Sequence, residues 1–378
     1  MRHVRVRLAR RVEQYEIAIG AGLLGELGDH ARRALSPDAR RVAVISNRTV
    51  FKLYGAGALR SLRAAGFETA HWLMGDGERF KSWRTLEAAL EFLSAARLER
   101  TDAVVALGGG VVGDLAGFAA ALYLRGIPYL QAPTTLLAQI DSSVGGKTAV
   151  NNDWGKNLVG AFHHPRAVVI DTETISTLPR RELTAGLCEC IKQGAVGGRK
   201  LFELTERFLI DKREALNDAE RLAELIAAQC AFKAKIVAGD ELEAVSRSDS
   251  RSRRILNFGH TIAHALEKVT DYKRFRHGEA VGHGMLAAAE LGKRLEISDG
   301  NDLESLRAAI TLAGRLPRAD DLPSSEILST LARDKKSVGG HIKWILLERI
   351  GRARILDSRE IAPRTLRASI RAALHSNI

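Results

Sequence analysis

The sequence predicts an α/β domain built on a parallel sheet, followed by a mainly helical domain. Three observations carry this reading. In the first half, short apolar runs alternate with stretches of helical periodicity. One of these runs ends abruptly in glycines, at Gly108-Gly109-Gly110. From about Ser176 onward the pattern is almost wholly helical. A chain of 378 residues also exceeds one ordinary core.

The elements follow in order. Val4, Val6 and Leu8, then Tyr15, Ile17 and Ile19, alternate with polar residues and predict a hairpin or edge strands. Arg41 to Ser46 is a β-branched run entering a loop at Asn47. Leu86, Ala89, Leu90 and Leu93 recur at helical spacing behind Ser82, a helix cap. Thr101 to Leu107 is a buried strand, and Leu130 to Ala132 and Ala167 to Ile170 are further short strands. Helices are expected over 181–196, 201–209, 218–238, 261–269 and 279–295, with one late strand at Ile342 to Leu347. Ser246 to Ser252 reads as a mobile polar loop. These patterns divide the chain into 1–175 and 176–378, with a functional site expected in the cleft between the two.

Composition narrows the function classes. With 46% hydrophobic and 27% charged residues, the chain is globular. Its charged N-terminus is no secretory signal, and the apolar run Phe118 to Leu124 is too short to span a bilayer, so no membrane partner and a cytoplasmic location are expected. Three cysteines form no disulfide framework. Cys188 and Cys190 flank Glu189 but lack a second C-x-C pair, so they read as small packing side chains. The net charge of +12 comes from scattered arginines without interleaved aromatics. That argues against nucleic acid and for a solvated basic surface that also steers a small anionic substrate.

Several motifs carry chemistry. Gly108 to Gly113 fits G-x-G-x-x-G between a strand and an apolar helix, as a Rossmann-like phosphate loop requires. It is not in the first βα unit, however, and no acidic residue follows about twenty positions on. The Gly75-Asp76-Gly77-Glu78 loop, with Lys81 beyond it, is either the ribose partner or a plain turn. Asp141-Ser142-Ser143-Val144-Gly145-Gly146-Lys147 is a candidate phosphate cradle, and Gly155-Lys156-Asn157 adds another cation and an amide. His260 and His264 stand four residues apart on one helical face, His277 opens a later helix, and Glu189 shares a face with Lys192. One carboxylate and two imidazoles leave an open position on zinc, as catalytic sites do. The competing reading is that these histidines are solvated or core side chains.

Taken together, the segments GGGVVGDLAGF, YLRG, PTTLLAQIDSSVGGKTAVN, GKNLVGAF, TLPRRELTAGL, ECIKQG, LNFGHT, HGEAV and DKK resemble the dehydroquinate synthase family from about Val42 to Gly351. The resemblance implies zinc, or cobalt in its place, on Glu189, His260 and His277. It implies NAD against Asn47, Glu78, Lys81, Gly109, Gly110, Asp114, Thr134, Thr135, Thr177 and Glu182. Catalytic roles fall to His264, Lys147, Asn157, Asp141 and Arg253. Substrate contacts fall to Lys156, Lys192, Lys233, Glu243, Asn257, Lys336 and Arg125, with Arg125 reaching a partner subunit and so implying a homodimer.

The chain departs from the family pattern at Cys188, Cys190, Gln193 and Ile262-Ala263, and it is longer between Glu243 and Arg253. The extra length bears directly on the role carried over to Glu243. The family activity converts 3-deoxy-arabino-heptulosonate 7-phosphate to 3-dehydroquinate and phosphate. Two alternatives remain open at this point: another sugar-phosphate cyclase, making 2-deoxy-scyllo-inosose or 2-epi-5-epi-valiolone, and a metal-dependent polyol dehydrogenase.

Overall fold

The computed structural model describes residues 14–244, 247, 249, 251–337 and 341–375, without the side chains of 333–337. The first part runs β1 (Glu16–Gly20), α1 (Leu27–Ala34), β2 (Arg41–Asn47), α2 (Arg48–Val50), α3 (Ala56–Ala64) and β3 (Glu68–Met74). It continues with α4 (Trp83–Ala95), β4 (Ala103–Gly108), α5 (Gly110–Leu122) and β5 (Tyr129–Pro133). A hairpin of β6 (Lys147–Asn152) and β7 (Gly155–Phe162) precedes β8 (Ala167–Asp171).

Helices then dominate: α6 (Arg180–Gly197), α7 (Arg199–Ile210), α8 (Lys212–Ala215), α9 (Ala219–Gly239), α10 (His260–Val269) and α11 (His277–Arg294). After α12 (Asn301–Ala313) and α13 (Ser324–Ser337), a second hairpin of β9 (Lys343–Arg349) and β10 (Arg352–Asp357) leads to α14 (Pro363–Leu374).

Six strands form one sheet in the order β1-β8-β5-β4-β2-β3, and every pairing is parallel. Strand β4 is buried along its whole length, which explains its unbroken apolar sequence. Its side chains still alternate. Val105 and Leu107 join one core layer, while Val104 and Ala106 join the layer on the opposite face. The strand order reverses between β2 and β4, because the chain leaves β2 for β3 on one side and returns to β4 on the other. In open α/β sheets the crevice at such a reversal, beyond the carboxyl ends of the strands, is where ligands bind. Asn47 ends β2 there and Gly108 ends β4.

Local chemistry accounts for the supporting helices. The Ser82 hydroxyl accepts from the Thr85 amide at 3.3 Å, capping α4 as its sequence predicts. Leu86 and Leu93 are then fully buried, and each such leucine contributes about 1.5–3 kcal/mol. Cys188, Cys190 and Cys230 are free and buried in the largest core cluster, so the C-x-C pair packs a helix.

The helical part depends on close backbone approach. A Cβ on Gly278 of α11 would lie 1.9 Å from the Ala185 carbonyl of α6. Gly259 takes a φ of 80° at the start of α10, a left-handed turn that glycine adopts without strain. These contacts bring the first residues of α10 and α11 against the middle of α6.

Some expectations require adjustment. The run from Val4 to Leu8 lies outside the described residues. The second half of that alternating pattern, Tyr15 to Ile19, falls on β1, an edge strand parallel to β8 among the described residues, in line with the edge-strand alternative. The pair β6–β7 goes unannounced in the sequence, because β7 exposes alternate residues and carries Lys156 and Asn157. Strand β3 is similarly half-exposed, as an edge position allows. The polar stretch from Ser246 to Ser252 falls partly outside the described residues. Among the described residues no helix is long and apolar enough to cross a membrane.

The close approach yields a test by substitution. Gly278→Ala forces α6 and α11 apart and should cost about 1–3 kcal/mol of unfolding free energy. Gly57→Ala, in α3 with nothing within 4 Å of the new methyl, should be neutral or add up to about 1 kcal/mol. Denaturant unfolding of the two variants measures both, and equal stability would contradict the packing described.

Candidate active site

At the centre stands Glu189, midway along α6 and wholly buried. Its Oε1 lies 3.6 Å from His277 Nε2 and 3.9 Å from His260 Nε2. Lys192 Nζ is 2.6 Å from Oε2, one helical turn along, yet neither carboxylate oxygen has an aligned hydrogen-bond donor. Each histidine is the first residue of its helix, so α10 and α11 both begin at this point. His260 Nδ1 faces the Phe258 carbonyl at 3.2 Å, leaving Nε2 as a lone pair toward Glu189.

Burial and the Lys192 ammonium push His260 well below the ordinary imidazole range, which keeps that lone pair free. Burial opposes protonation of His277 as well, but Glu267 and Glu189 outweigh it and raise the group. A cation held at Nε2 would take the place of that proton. The ligand atoms of Glu189, His260 and His277 lie within 4.8 Å of one another. A buried carboxylate with two unused oxygens facing two imidazole nitrogens is a donor set that suits zinc. His264 is exposed on the same helix, its ring 5.6 Å from His260 and 5.9 Å from His277.

A ring of cations surrounds this centre. Lys233 Nζ lies 2.5 Å from Asp141 Oδ1, and Lys192 also bears on Asp141. Burial would raise the Asp141 carboxyl, but the two lysines outweigh it and hold it well below the usual range. Lys192 keeps its proton for the reciprocal reason, since Asp141 and Glu189 overcome its burial. Lys147 opens β6 and forms an ion pair with Glu243. Asn257 Nδ2 donates to the other Glu243 oxygen at 3.4 Å. Arg253 donates to the carbonyls of Glu241 at 2.7 Å and Gly145 at 2.9 Å, which fixes its guanidinium beside the Gly145-Gly146 turn.

The crevice of the sheet supplies a second region. Gly109 caps α5 without a side chain, so no side chain covers the first amides of that helix, as an anion site requires. A Cβ on Gly109 would stand 3.0 Å from Thr135, and one on Gly110 would stand 3.0 Å from Ser142. Lys81 is buried and bridges Asp114 and Asn157, with Asn157 held at a φ of 57° on β7. Asn47 Nδ2 donates to Asp76 at 3.1 Å, and Glu78 Oε1 accepts from Asn151 at 2.8 Å. Thr134 Oγ1 is buried without a partner, and the Thr135 hydroxyl accepts from the Ala138 amide. Thr177 pairs with the Tyr54 hydroxyl, and Glu182 pairs with Arg276 at 2.9 Å. The glycine loop and its small neighbours suit a dinucleotide phosphate.

One of the residues singled out from the sequence stands apart, and another has its side chain outside the described residues. Arg125 is exposed on the turn after α5, at the opposite end of that helix from the glycine loop and about 20 Å along it. Lys336 falls in α13, where side chains lie outside the described residues. The expected loop from Asp141 to Lys147 is a helical turn at Ala138–Ser142 followed by a tight glycine turn into β6. Sequence reasoning passed over Glu267, Asn151 and Tyr54, and met Asp76 only as part of its glycine loop. A signal for Glu267 existed, because it follows His260 by seven residues and His264 by three, on one helical face.

The family model for the 3-dehydroquinate synthase N-terminal region matches residues 71–185, and the model for the C-terminal region matches 186–337. A 3-dehydroquinate synthase of Synechococcus sp. (strain CC9605) is 44% identical over 358 residues, covering 94% of each chain. Among solved structures, 2-epi-5-epi-valiolone synthase from Streptomyces hygroscopicus subsp. jinggangensis 5008, with NAD+ and Zn2+ bound, superposes with a TM-score of 0.86. Its identity is 27%, covering 98% of this chain and 99% of that one. A 2-deoxy-scyllo-inosose synthase complexed with carbaglucose-6-phosphate, NAD+ and Co2+ gives a TM-score of 0.80 at 26% identity, covering 94% of this chain and 96% of that one. With both regions matched in order and curated relatives aligned along nearly its whole length, this chain belongs to the 3-dehydroquinate synthase family.

Proposed function

We propose that this chain is a 3-dehydroquinate synthase, a carbon–oxygen lyase converting 3-deoxy-arabino-heptulosonate 7-phosphate to 3-dehydroquinate and phosphate. The observation that carries the reading is the convergence of Glu189, His260 and His277 beneath a ring of lysines at the mouth of the glycine-loop crevice. Glu189, His260 and His277 would hold zinc. Asn47, Glu78, Lys81, Gly109, Gly110, Asp114, Thr134, Thr135, Thr177 and Glu182 would hold NAD. When bound, these groups supply a Lewis acid and a hydride store that is refilled within each turnover.

The chain's own residues do the rest. Lys147, Lys156, Lys192, Lys233 and Arg253 would bind the substrate's carboxylate and phosphate, with arginine suited to a forked grip. Asp141 helps keep Lys192 charged and holds Lys233 in place, although burial lowers Lys233 despite that partner. His264, at the exposed rim, would move protons, and Asn257 and Glu243 would hold hydroxyls. Arg125 cannot serve the site of its own chain from the far end of α5, so it would serve a partner's. The exposed Leu122 and Leu124 beside it suit a homodimer contact.

A second reading rests on the structural likeness to 2-epi-5-epi-valiolone synthase. The curated synthases align at 42–44% identity against 27% for that cyclase, which favours the first reading.

Two measurements check this function. With NAD far below the heptulosonate phosphate, and zinc present, conversion should run to completion. Phosphate should be released one-for-one with dehydroquinate, and no NADH absorbance should persist. NADH growing in step with product would mark a dehydrogenase. Turnover of only a carboxylate-free sugar phosphate would mark the other cyclases. Next, Ala at Glu189, His260 or His277 should abolish bound zinc and cut turnover by several orders of magnitude. His264→Ala should keep its zinc and lose about 10²–10⁴ in rate. Loss of zinc from folded His264→Ala would reverse that division of roles.

A further inference from the structure

The residue that the activity above leaves unassigned is Glu267, on the inward face of α10, with only 4% of its side chain exposed. Its two oxygens point in different directions. Oε1 accepts from Lys156 Nζ at 3.1 Å, and that ammonium also lies 4.1 Å over the Tyr272 ring. Oε2 stands 3.5 Å from His277 Nδ1 and has no aligned donor of its own. The His277 ring is therefore gripped between two carboxylates, Glu189 at Nε2 and Glu267 at Nδ1.

A ring nitrogen that donates to an acceptor fixes the tautomer, so a proton on Nδ1 leaves the lone pair on Nε2. His260 achieves the same end with the Phe258 carbonyl. A carboxylate is the stronger acceptor, and here it is also tied to another element. Lys156 belongs to β7, in the hairpin that packs on the sheet side of the cleft, whereas His277 begins α11 on the helical side. One buried carboxylate thus spans both walls.

We infer that Glu267 is a positioning residue, which orients His277 through Nδ1 and ties that imidazole to Lys156. Oε2 is 3.5 Å from Nδ1, just beyond ordinary hydrogen-bond length. The inference rests on the metal reading of Glu189, His260 and His277. Two other roles compete with it. Glu267 could serve only to neutralise Lys156, or it could itself be a ligand, since its oxygen also lies within 4.8 Å of donor atoms on His264 and His277.

The test titrates Co²⁺ into metal-free protein against a competing chelator while recording the cobalt absorption spectrum, without substrate or NAD. The proteins are wild type, Glu267→Leu, Glu267→Gln and the double variant Lys156→Met/Glu267→Leu. Glu267→Leu should weaken cobalt affinity by about 10–100-fold, the usual cost of losing such a partner. Glu267→Gln, whose amide oxygen still accepts, should recover part of the loss. The double variant should stay as weak as Glu267→Leu and keep the wild-type cobalt band positions. It also carries the readout if the single variant fails to fold, because it removes the half-buried ammonium that Glu267 pairs with. Affinity within twofold of wild type in Glu267→Leu overturns the inference. So does full recovery in the double variant, which would reduce Glu267 to a counter-charge, and so does a changed coordination spectrum, which would make it a ligand. Wild-type protein that binds no cobalt would overturn the metal reading itself.

Discussion

A carboxylate with no exposure, set beside an equally buried ammonium, is the constraint around which the rest of the molecule is arranged. Removing Glu189 and Lys192 from water costs several kcal/mol per ion, and their mutual attraction offsets this only with good geometry and further partners. Neither Glu189 oxygen has an aligned donor, so the pair alone does not complete the site. The surrounding helices supply what is missing. Helices α10 and α11 both start at Glu189 and present an imidazole with their first residue. That geometry demands the close passage of Gly278 over Ala185 and the left-handed turn at Gly259.

The same constraint links the two halves of the chain. Besides a shared apolar core, long cationic side chains meet carboxylates on the opposite wall of the cleft. Lys233 of α9 reaches Asp141 after β5, Lys156 of β7 reaches Glu267 of α10, and Lys147 of β6 reaches Glu243. These cations are the groups that would bind an anionic substrate. Each is held by a carboxylate, and a phosphate or carboxylate entering the cleft would compete for the same donors.

Much of this was legible in the sequence, and the reasons for the rest are physical. Buried, regular elements announce themselves. The apolar run of β4, the serine cap of α4 and the helical period of α6 and α11 all survive into the structure. Half-exposed elements do not, and β3 and the β6–β7 hairpin carry no clear apolar alternation to betray them. The histidine spacing and the Glu189–Lys192 pair were visible as faces of helices. What periodicity cannot give is which helices meet. The tie between Lys156 and Glu267 joins residues 111 positions apart and depends on how the hairpin folds over the cleft. The glycine loop was legible as a junction between a strand and a helix, while the bridge from Lys81 to Asn157 needed the left-handed backbone of Asn157 to be seen.

The central claim is that Glu189, His260 and His277 form a single metal centre at the floor of this cleft. Anomalous diffraction at the zinc absorption edge, from crystals of zinc-loaded protein, tests it most directly. The account predicts one dominant peak, about 2.0–2.2 Å from a Glu189 oxygen and from Nε2 of both His260 and His277. A peak held instead by His264 and Glu267, or none among the three ligands in protein that binds zinc stoichiometrically, would contradict it.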